Sequence, residues 1–128
     1  MPIEHCSIHV SEIELYPAIR MNWEHVIHKE DLQPAFKAVV DLLDTSESSL
    51  YILVDLSKAP DFPMVETTLE ALRGPFRHPC VAEWLVIDAK RPARMIGDLL
   101  MRSSGRKNIR WFKREEQALD YMAKAVKV

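Results

Sequence analysis

The stretch LYILVD, residues 50–55, is a continuous apolar run of strand length that ends in an acid. It is rich in β-forming residues and has no polar alternation, which is typical of a strand covered on both faces. The stretch VAEWLVID, residues 81–88, has the same character. Both therefore predict inner strands of a parallel sheet in an α/β protein.

Amphipathic segments separate these runs and predict helices. After His28, one helical face carries apolar residues at spacings of three and four: Leu32, Phe36, Val39, Val40 and Leu43. The segment MVETTLEALRGPF predicts a second helix with Val65, Leu69 and Leu72 directed inward. Asp61 suits its N-cap, Pro63 its first turn, and Gly74 its end.

The segment PARMIGDLLMR predicts a third helix with Ile96, Leu99 and Leu100 inward, and REEQALDYMAKAV a fourth after the short strand NIRWF. Alternation around Cys6, Ile8 and Val10, followed by Ala18, Ile19 and Met21, predicts an N-terminal hairpin. The fold class is therefore α/β, with a mostly parallel sheet of about five strands and four helices. The helices can cover both faces of the sheet or lie mainly on one.

The length and composition bound the possible classes of protein. The 128 residues, 48% of them hydrophobic, suit one domain spanning 1–128. No apolar run reaches the ~20 residues of a membrane span, and the N-terminus lacks a basic region, so we expect a cytoplasmic protein. Cys6 and Cys80 fit no metal or redox spacing and are expected to be reduced, buried thiols.

The charges are unevenly distributed along the chain. Residues 90–114 hold nine Lys or Arg and one acid, whereas residues 1–89 hold six Lys or Arg and fifteen acids. Arg91, Arg94 and Arg102 are spaced near one helical face and can bind an acidic partner, an anionic head group or a second copy of the chain, unless they form only a solvated face. Nucleic acid is not expected, because the net charge is −2 and the aromatic residues are not interleaved with the basic ones.

The chain resembles a STAS domain, the sulfate-transporter and anti-sigma-antagonist family, in its SpoIIAA-like branch. The resemblance lies in LYILVDLS and EWLVID, each followed by a helix, and in the ending RWFKREEQALDYM, and it extends from about residue 5 to residue 124. It implies a small cytosolic domain that works by binding and not by turnover.

The family resemblance also bears on phosphorylation. In anti-sigma antagonists of this family, the loop after the central strand carries an Asp followed by a phosphorylated Ser or Thr. Asp61 matches that Asp, but Phe62 and Pro63 occupy the positions of the phosphoacceptor and its neighbour. Thr67 and Thr68 fall inside the predicted helix, so the resemblance implies a protein without the usual phosphorylation switch.

Two other constellations can carry chemistry. Asp55 and Asp88 end the two apolar strands, where paired carboxylates can act as acid and base, although such acids also accept turn hydrogen bonds or pair with Lys58 and Lys90. His5 and His9 lie about 13 Å apart on a strand, too far to share one metal. The sequence therefore predicts no metal, no cofactor and no established catalytic motif.

Three hypotheses follow from these features. The leading one is a non-enzymatic STAS-type binding or regulatory module that acts through the 57–66 loop and the second helix, with the basic third helix as a further contact. Asp61 would cap the helix, Lys58 would flank the loop, and Phe62 and Met64 would give it an apolar patch.

The alternatives are a carrier of a small apolar or acyl ligand, with Arg91 and Arg94 near its head group, and an enzyme that uses Asp55 and Asp88. Trp84 and Phe62 could line an apolar pocket for such a ligand, together with methionines at positions 64, 95, 101 and 122, or all six could be plain core. A homodimer would use the complementary acidic and basic regions.

Overall fold

The computed structural model describes residues 8–24, 26–58 and 62–126. Within these ranges the chain forms five strands, four α-helices and one short 3₁₀ turn at Pro75–Arg77. In chain order, the strands and helices are β1 (Ile8–Ile13), β2 (Ala18–Glu24), α1 (Lys29–Asp44), β3 (Leu50–Lys58), α2 (Met64–Arg73), β4 (Val81–Ile87), α3 (Arg91–Ser104), β5 (Ile109–Phe112) and α4 (Glu115–Val126).

The strands form one sheet in the order β1-β2-β3-β4-β5. β1 pairs antiparallel with β2, in the register Ile8 to Trp23, and each later neighbour pairs in parallel. The predicted mostly parallel sheet with an N-terminal hairpin is therefore confirmed. Because β2 to β5 run in the same direction, their carboxyl ends lie at one edge of the sheet, where α2 and α3 begin.

The helices divide unequally between the two faces of the sheet. Odd-numbered residues of β2, such as Ile19 and Met21, pack in one core with the buried residues of α1, α2 and α3. Ala18 of the same strand packs in a second core with Ala118 and Met122 of α4. Among the described elements, three helices thus cover one face and α4 covers part of the other.

Helix α1 follows the sequence pattern closely. Leu32, Phe36, Val39 and Leu43 are buried, as their spacing predicts. The carboxylate of Asp31 accepts a hydrogen bond of 2.8 Å from the backbone N–H of His28, which satisfies a donor at the helix start. Pro34 is in the second turn, where it removes one intrahelical hydrogen bond close to the beginning of the helix.

Helix α2 differs from the prediction in its buried face. Val65 and Leu69, which the sequence pattern directs inward, are exposed, whereas Thr67, Thr68 and Ala71 are buried. The two threonines can be buried because their hydroxyls donate to backbone carbonyls one turn earlier, at Pro63 and Met64, so no polar group is left unpaired.

The limits of α2, α3 and the strands require smaller corrections. Pro63 occupies the N-cap position of α2, so the assignment of that position to Asp61 is wrong; Asp61 itself lies outside the described residues. Gly74 ends α2 as predicted. In α3, Ile96 and Leu100 are buried, but Leu99 is half exposed and not inward. β3 also continues three residues beyond Asp55.

Candidate functional site

An apolar cavity of about 80 Å³ lies between the sheet and the helices that cover its main face. Its wall includes six aromatic side chains: Trp23, Phe36, Phe62, Phe76, Trp84 and Trp111. Thr67 and Ala71 contribute from α2, and Ile96 and Leu100 from α3. The inner sides of α2 and α3 therefore form one wall of this cavity.

The aromatic side chains around the cavity pack against one another. The rings of Phe76 and Trp84 stack with centroids 5.9 Å apart. Trp23 makes edge-on contacts with Phe62 at 5.7 Å and with Phe36 at 6.1 Å. Phe62, predicted to form an exposed patch, is half-buried in this cluster.

Two of the tryptophans that line the cavity have a buried indole N–H without a partner among the described residues. Trp23 and Trp84 are only 4% and 6% exposed. The indole Nε1 of each is buried and without an acceptor in the part of the chain that the structure describes. Since buried N–H groups are nearly always paired, these two donors are unusual.

The outer side of α2 and α3 carries apolar side chains as well. Met64, Val65 and Leu69 of α2, together with Met95 and Leu99 of α3, are between 38% and 67% exposed. The two helices are neighbours in the layer that covers the sheet. We call these five residues the α2–α3 face.

Charged side chains accompany this face. Arg91, Arg94 and Arg102, predicted to share one side of the third helix, are all exposed on α3. The guanidinium carbon of Arg94 lies 5.3 Å from the centroid of the Trp111 ring, a cation–π geometry. Lys58 is exposed at the end of β3. The structure thus brings Met64 and the arginines onto two adjacent helices.

The predicted pocket residues separate into two groups. Trp84 and Phe62 line the cavity, but the four methionines do not. Met64 and Met95 are exposed, Met101 packs at the border of the main core, and Met122 is buried beneath α4.

Trp23 and Trp111 also line the cavity, although the sequence pattern gives neither as a pocket residue. Trp23 could have been found from strand alternation, because residues two apart in a strand share a face, and Trp23 therefore lies on the same face of the sheet as Ile19 and Met21.

Asp55 and Asp88 make the contacts predicted for acids that follow a strand, a turn hydrogen bond in one case and a lysine pair in the other. One carboxylate oxygen of Asp55 accepts from the backbone N–H of Ser57 at 2.9 Å and from its hydroxyl at 2.7 Å. Asp88 accepts from Lys90 Nζ at 3.0 Å and has a positive φ of 56°. Neither acid lines the apolar cavity, so these two carboxylates do not form an acid–base pair within it.

Among the described residues, no three His, Cys, Asp or Glu side chains are grouped so that they could hold a metal ion. His5 and Cys6 lie outside the described residues. His78 is held by two contacts within the fold: its Nε2 lies 2.7 Å from Asp44 Oδ1, and its Nδ1 accepts a hydrogen bond from the backbone N–H of Cys80. Cys80 is a half-buried free thiol.

A polar cluster joins α4 to the opposite face of the sheet. Glu83 accepts hydrogen bonds from the Tyr121 hydroxyl and, at 2.9 Å, from Arg110 Nε. Burial, followed by the hydrogen bond to Glu83, raises the pKa of Tyr121. The charge of Arg110 is thus paired with Glu83 within the fold.

Comparison with solved structures identifies the fold. An uncharacterised DUF3478-family protein from Shewanella loihica PV-4 with a SpoIIAA-like fold superposes with a TM-score of 0.65 at 11% identity, over 90% of this chain and 91% of the other. The fold is SpoIIAA-like. The anti-sigma factor antagonist SpoIIAA in its unphosphorylated form gives a TM-score of 0.58 at 10% identity, over 89% of this chain and 96% of the other. No protein-family model and no curated protein matches the sequence.

The resemblance to the STAS and SpoIIAA-like fold read from the sequence is therefore confirmed. At these identities the likeness concerns the fold. In addition, no helix among the described residues is long and apolar enough to cross a bilayer.

Proposed function

We propose that the protein is a non-enzymatic, STAS-type binding module, acting as one domain in the cytoplasm, that docks a protein partner through the α2–α3 face. The observation that carries the proposal is the exposure of five apolar side chains on two adjacent helices. Exposed apolar residues scattered singly are ordinary, but a contiguous group is a feature of interaction surfaces.

The charges near this face define the chemistry of the partner. Arg91, Arg94 and Arg102 favour an acidic partner, and the Arg fork binds carboxylate in a bidentate manner. A partner with an apolar ridge bordered by Asp or Glu would match both features. Lys58 stays a predicted flanking contact of this surface, and Asp61 stays a predicted binding residue of the 57–66 loop.

The proposed module works without the phosphorylation switch of anti-sigma antagonists. Phe62 and Pro63 cannot accept a phosphate. Thr67 and Thr68 are buried and their hydroxyls already donate to backbone carbonyls, so a kinase would have to unfold the start of α2 to reach them. Regulation would therefore depend on the presence of the partner or of a ligand.

Affinity capture from the source organism tests the docking proposal. The tested variant is Leu69→Glu with Leu99→Glu, which places two charges on the α2–α3 face without altering its arginines. Leu15→Glu is the matched control, because Leu15 is an 88% exposed leucine in the β1–β2 turn. We expect at least one protein to be captured by the wild type and by the control but not by the double variant. The proposal is wrong if all three proteins capture the same set.

Phe62→Ala is a poor substitute for these variants. Phe62 packs against Trp23 and lines the cavity, so its removal would disturb the fold beneath the face as well as any contact above it. Met64→Ala is suitable, since Met64 is exposed.

A second copy of the chain is one partner with the required chemistry. Glu66 near the start of α2 and Arg94 near the start of α3 are both exposed, so two copies that oppose α2 with α3 would pair unlike charges. Such a dimer should weaken as salt is added. Sedimentation that shows a monomer at both low and high salt would contradict it.

The second candidate function is the carrier of a small apolar ligand. The aromatic cavity supports it, but a volume of about 80 Å³ is well below the ~300 Å³ or more of typical ligand pockets. An acyl chain does not fit this cavity in its present shape. Native mass spectrometry of gently purified protein tests this candidate, and protein that is consistently free of added mass would contradict it.

A further inference from the structure

The outer edge of β5 is open among the described residues. β5 is the last strand of the sheet, so only β4 pairs with it. The backbone carbonyls of Asn108 and Phe112 accept hydrogen bonds from the β4 side. Because backbone groups alternate in direction along a strand, the N–H and C=O groups of Ile109 and Trp111 point away from β4. Within residues 8–24, 26–58 and 62–126 these groups have no hydrogen-bond partner.

A groove of about 660 Å³ lies beside this edge, bordered by α3, by the loop after it and by β5. Met101 and Ile109 contribute half-buried apolar side chains to it. Arg102 and Lys107 contribute exposed cations, and Asp98 is the acid among its lining residues. The groove therefore combines an apolar floor, a basic rim and the free backbone groups of an edge strand.

The charges at the groove favour an acidic occupant. Arg110 also lines it, but its guanidinium is paired with Glu83. Arg102 and Lys107 form no ion pair among the described residues, so both charges are available to a ligand. Basic side chains along a sheet edge discourage pairing with strands at random. An incoming strand that carries acids offsets these charges and is the kind of strand that this edge admits.

The spacing of two arginines determines where those acids lie. The guanidinium of Arg94 lies over the ring of Trp111, and Arg102 lines the groove together with Ile109. Arg94 and Arg102 are eight residues apart, which is about 12 Å along α3. Four residues of an extended strand cover about 13 Å, and residues four apart project to the same face. Two acids at this spacing can therefore contact both arginines at once.

We propose that the β5 edge binds an extended acidic segment of a protein partner, which joins the sheet beside β5 and places two carboxylates, four residues apart, on Arg94 and Arg102. The backbone of the segment pairs with Ile109 and Trp111, and an apolar side chain between the two acids packs on Met101. In strand addition, the main-chain hydrogen bonds supply affinity and alternate side chains supply specificity. The proposal goes beyond docking through the α2–α3 face, because the groove is on the side of α3 that borders β5.

The test is a titration of the 128-residue protein with three synthetic peptides, followed by the backbone amide signals in a ¹H–¹⁵N spectrum. The first peptide is acetyl-Glu-Thr-Val-Thr-Glu-amide, with its acids four residues apart. The second, acetyl-Glu-Thr-Val-Glu-Thr-amide, has the same composition and charge, but its acids project to opposite faces of a strand. The third is the first peptide with N-methyl groups on its Thr-Val-Thr amides, which prevent strand pairing.

We expect the first peptide to move the Ile109 and Trp111 amide signals downfield and to saturate at concentrations on the order of millimolar or below. The second peptide should bind about fivefold more weakly, because it loses one arginine contact, and the third should give no such shift. The proposal is overturned if the first peptide gives no saturable shift, or if either of the others binds as tightly. A shift of these signals with protein concentration alone would also overturn it, since a second copy would then occupy the edge.

Charge reversals on α3 locate the contact. Arg102→Glu should remove the preference for the first peptide over the second, while a dispersed spectrum shows that the variant is folded. Arg91→Glu is the matched control, because Arg91 is an exposed arginine of the same helix that does not line the groove. This control should keep the preference. An unchanged preference in Arg102→Glu, or an equal loss in both variants, would overturn the proposal.

The Leu69→Glu, Leu99→Glu protein separates this site from the α2–α3 face. Neither leucine lines the groove, so the double variant should keep the preference for the first peptide. Loss of the preference would assign the peptide to the α2–α3 face and would overturn the proposal. Docking through that face and strand addition at β5 can therefore fail separately.

Discussion

Replacing Gly97 by alanine tests how closely α3 packs on β5 at the edge of the cavity. A Cβ at position 97 would lie 2.6 Å from Trp111 Cζ2 and closer still to Cη2. Ordinary contacts begin near 3.4 Å, so the indole would have to retreat by about 1 Å. The guanidinium of Arg94 also lies over this ring, 5.3 Å from its centroid.

The magnitude follows from two opposing effects. Overpacking of this kind costs about 1–3 kcal/mol, and alanine gains up to about 1 kcal/mol over glycine inside a helix. We therefore expect Gly97→Ala to lower the free energy of unfolding by about 1 kcal/mol, which is a fall of roughly 4 °C in Tm for a chain of this length.

A double-mutant cycle separates the two effects. In a Trp111→Leu background the ring is gone, and Gly97→Ala should stabilise the protein by up to about 1 kcal/mol through helix propensity. The assay is urea unfolding followed by far-ultraviolet circular dichroism, because tryptophan fluorescence changes with the substitution itself. The reasoning is refuted if alanine stabilises the wild-type protein, or if its effect is the same in both backgrounds.

Three further predictions concern other parts of the fold. The folded-state pKa of Tyr121 is raised above 10.0, so its contribution to stability is present below pH 10 and is lost as the pH rises through that raised pKa. The difference in unfolding free energy between wild type and Tyr121→Phe should thus shrink from neutral pH to about pH 11, and a constant difference would contradict it. Arg20→Met removes a half-buried, bidentate ion pair with Glu115 of α4. The substitution should lower the free energy of unfolding by about 1 kcal/mol or less, and by a smaller amount at high salt. A loss that does not depend on salt would contradict an ionic contribution. Protein isolated from cells should carry no phosphate on Thr67 or Thr68, and peptide mass spectrometry that finds one would show that α2 opens.

The order of strands and helices along the chain can be predicted from the sequence because most of their patterns are strong. The runs at residues 50–55 and 81–88 have strand length and no polar interruption, which leaves few alternatives. Leu32, Phe36 and Leu43 repeat at helical spacing and are buried as expected. In these segments, local propensity and tertiary packing favour the same structure.

Helix α2 shows where such prediction fails. Of the three residues predicted to point inward, Leu72 packs against the main core, but Val65 and Leu69 lie outside, and Thr67 and Thr68 lie inside. A pattern of hydrophobicity assigns the inner face to the larger apolar residues and gives no weight to threonine hydroxyls that bond their own helix. The same mismatch is informative about function, since it leaves apolar residues on the α2–α3 face.

The cavity could not be predicted from the sequence, because its volume depends on how side chains from several elements fill one space. Trp23, Trp84 and Trp111 come from three strands, and Gly97 permits α3 to approach one of them. The predicted pocket included Trp84 and Phe62 correctly. None of the four methionines lines the cavity: Met64 and Met95 are exposed, whereas Met101 and Met122 pack in the core, as the alternative interpretation predicts for them.

Photo-crosslinking in the source organism tests the central claim, docking through the α2–α3 face, most directly. A photoreactive amino acid replaces Leu69 on α2 in one protein and Leu15 in the β1–β2 turn in the other; both leucines are exposed. We predict that position 69 yields a discrete crosslinked product, either with another protein or with a second copy of the chain, and that position 15 does not. Absence of a product at position 69, or the same products from both positions, would contradict the proposed docking function.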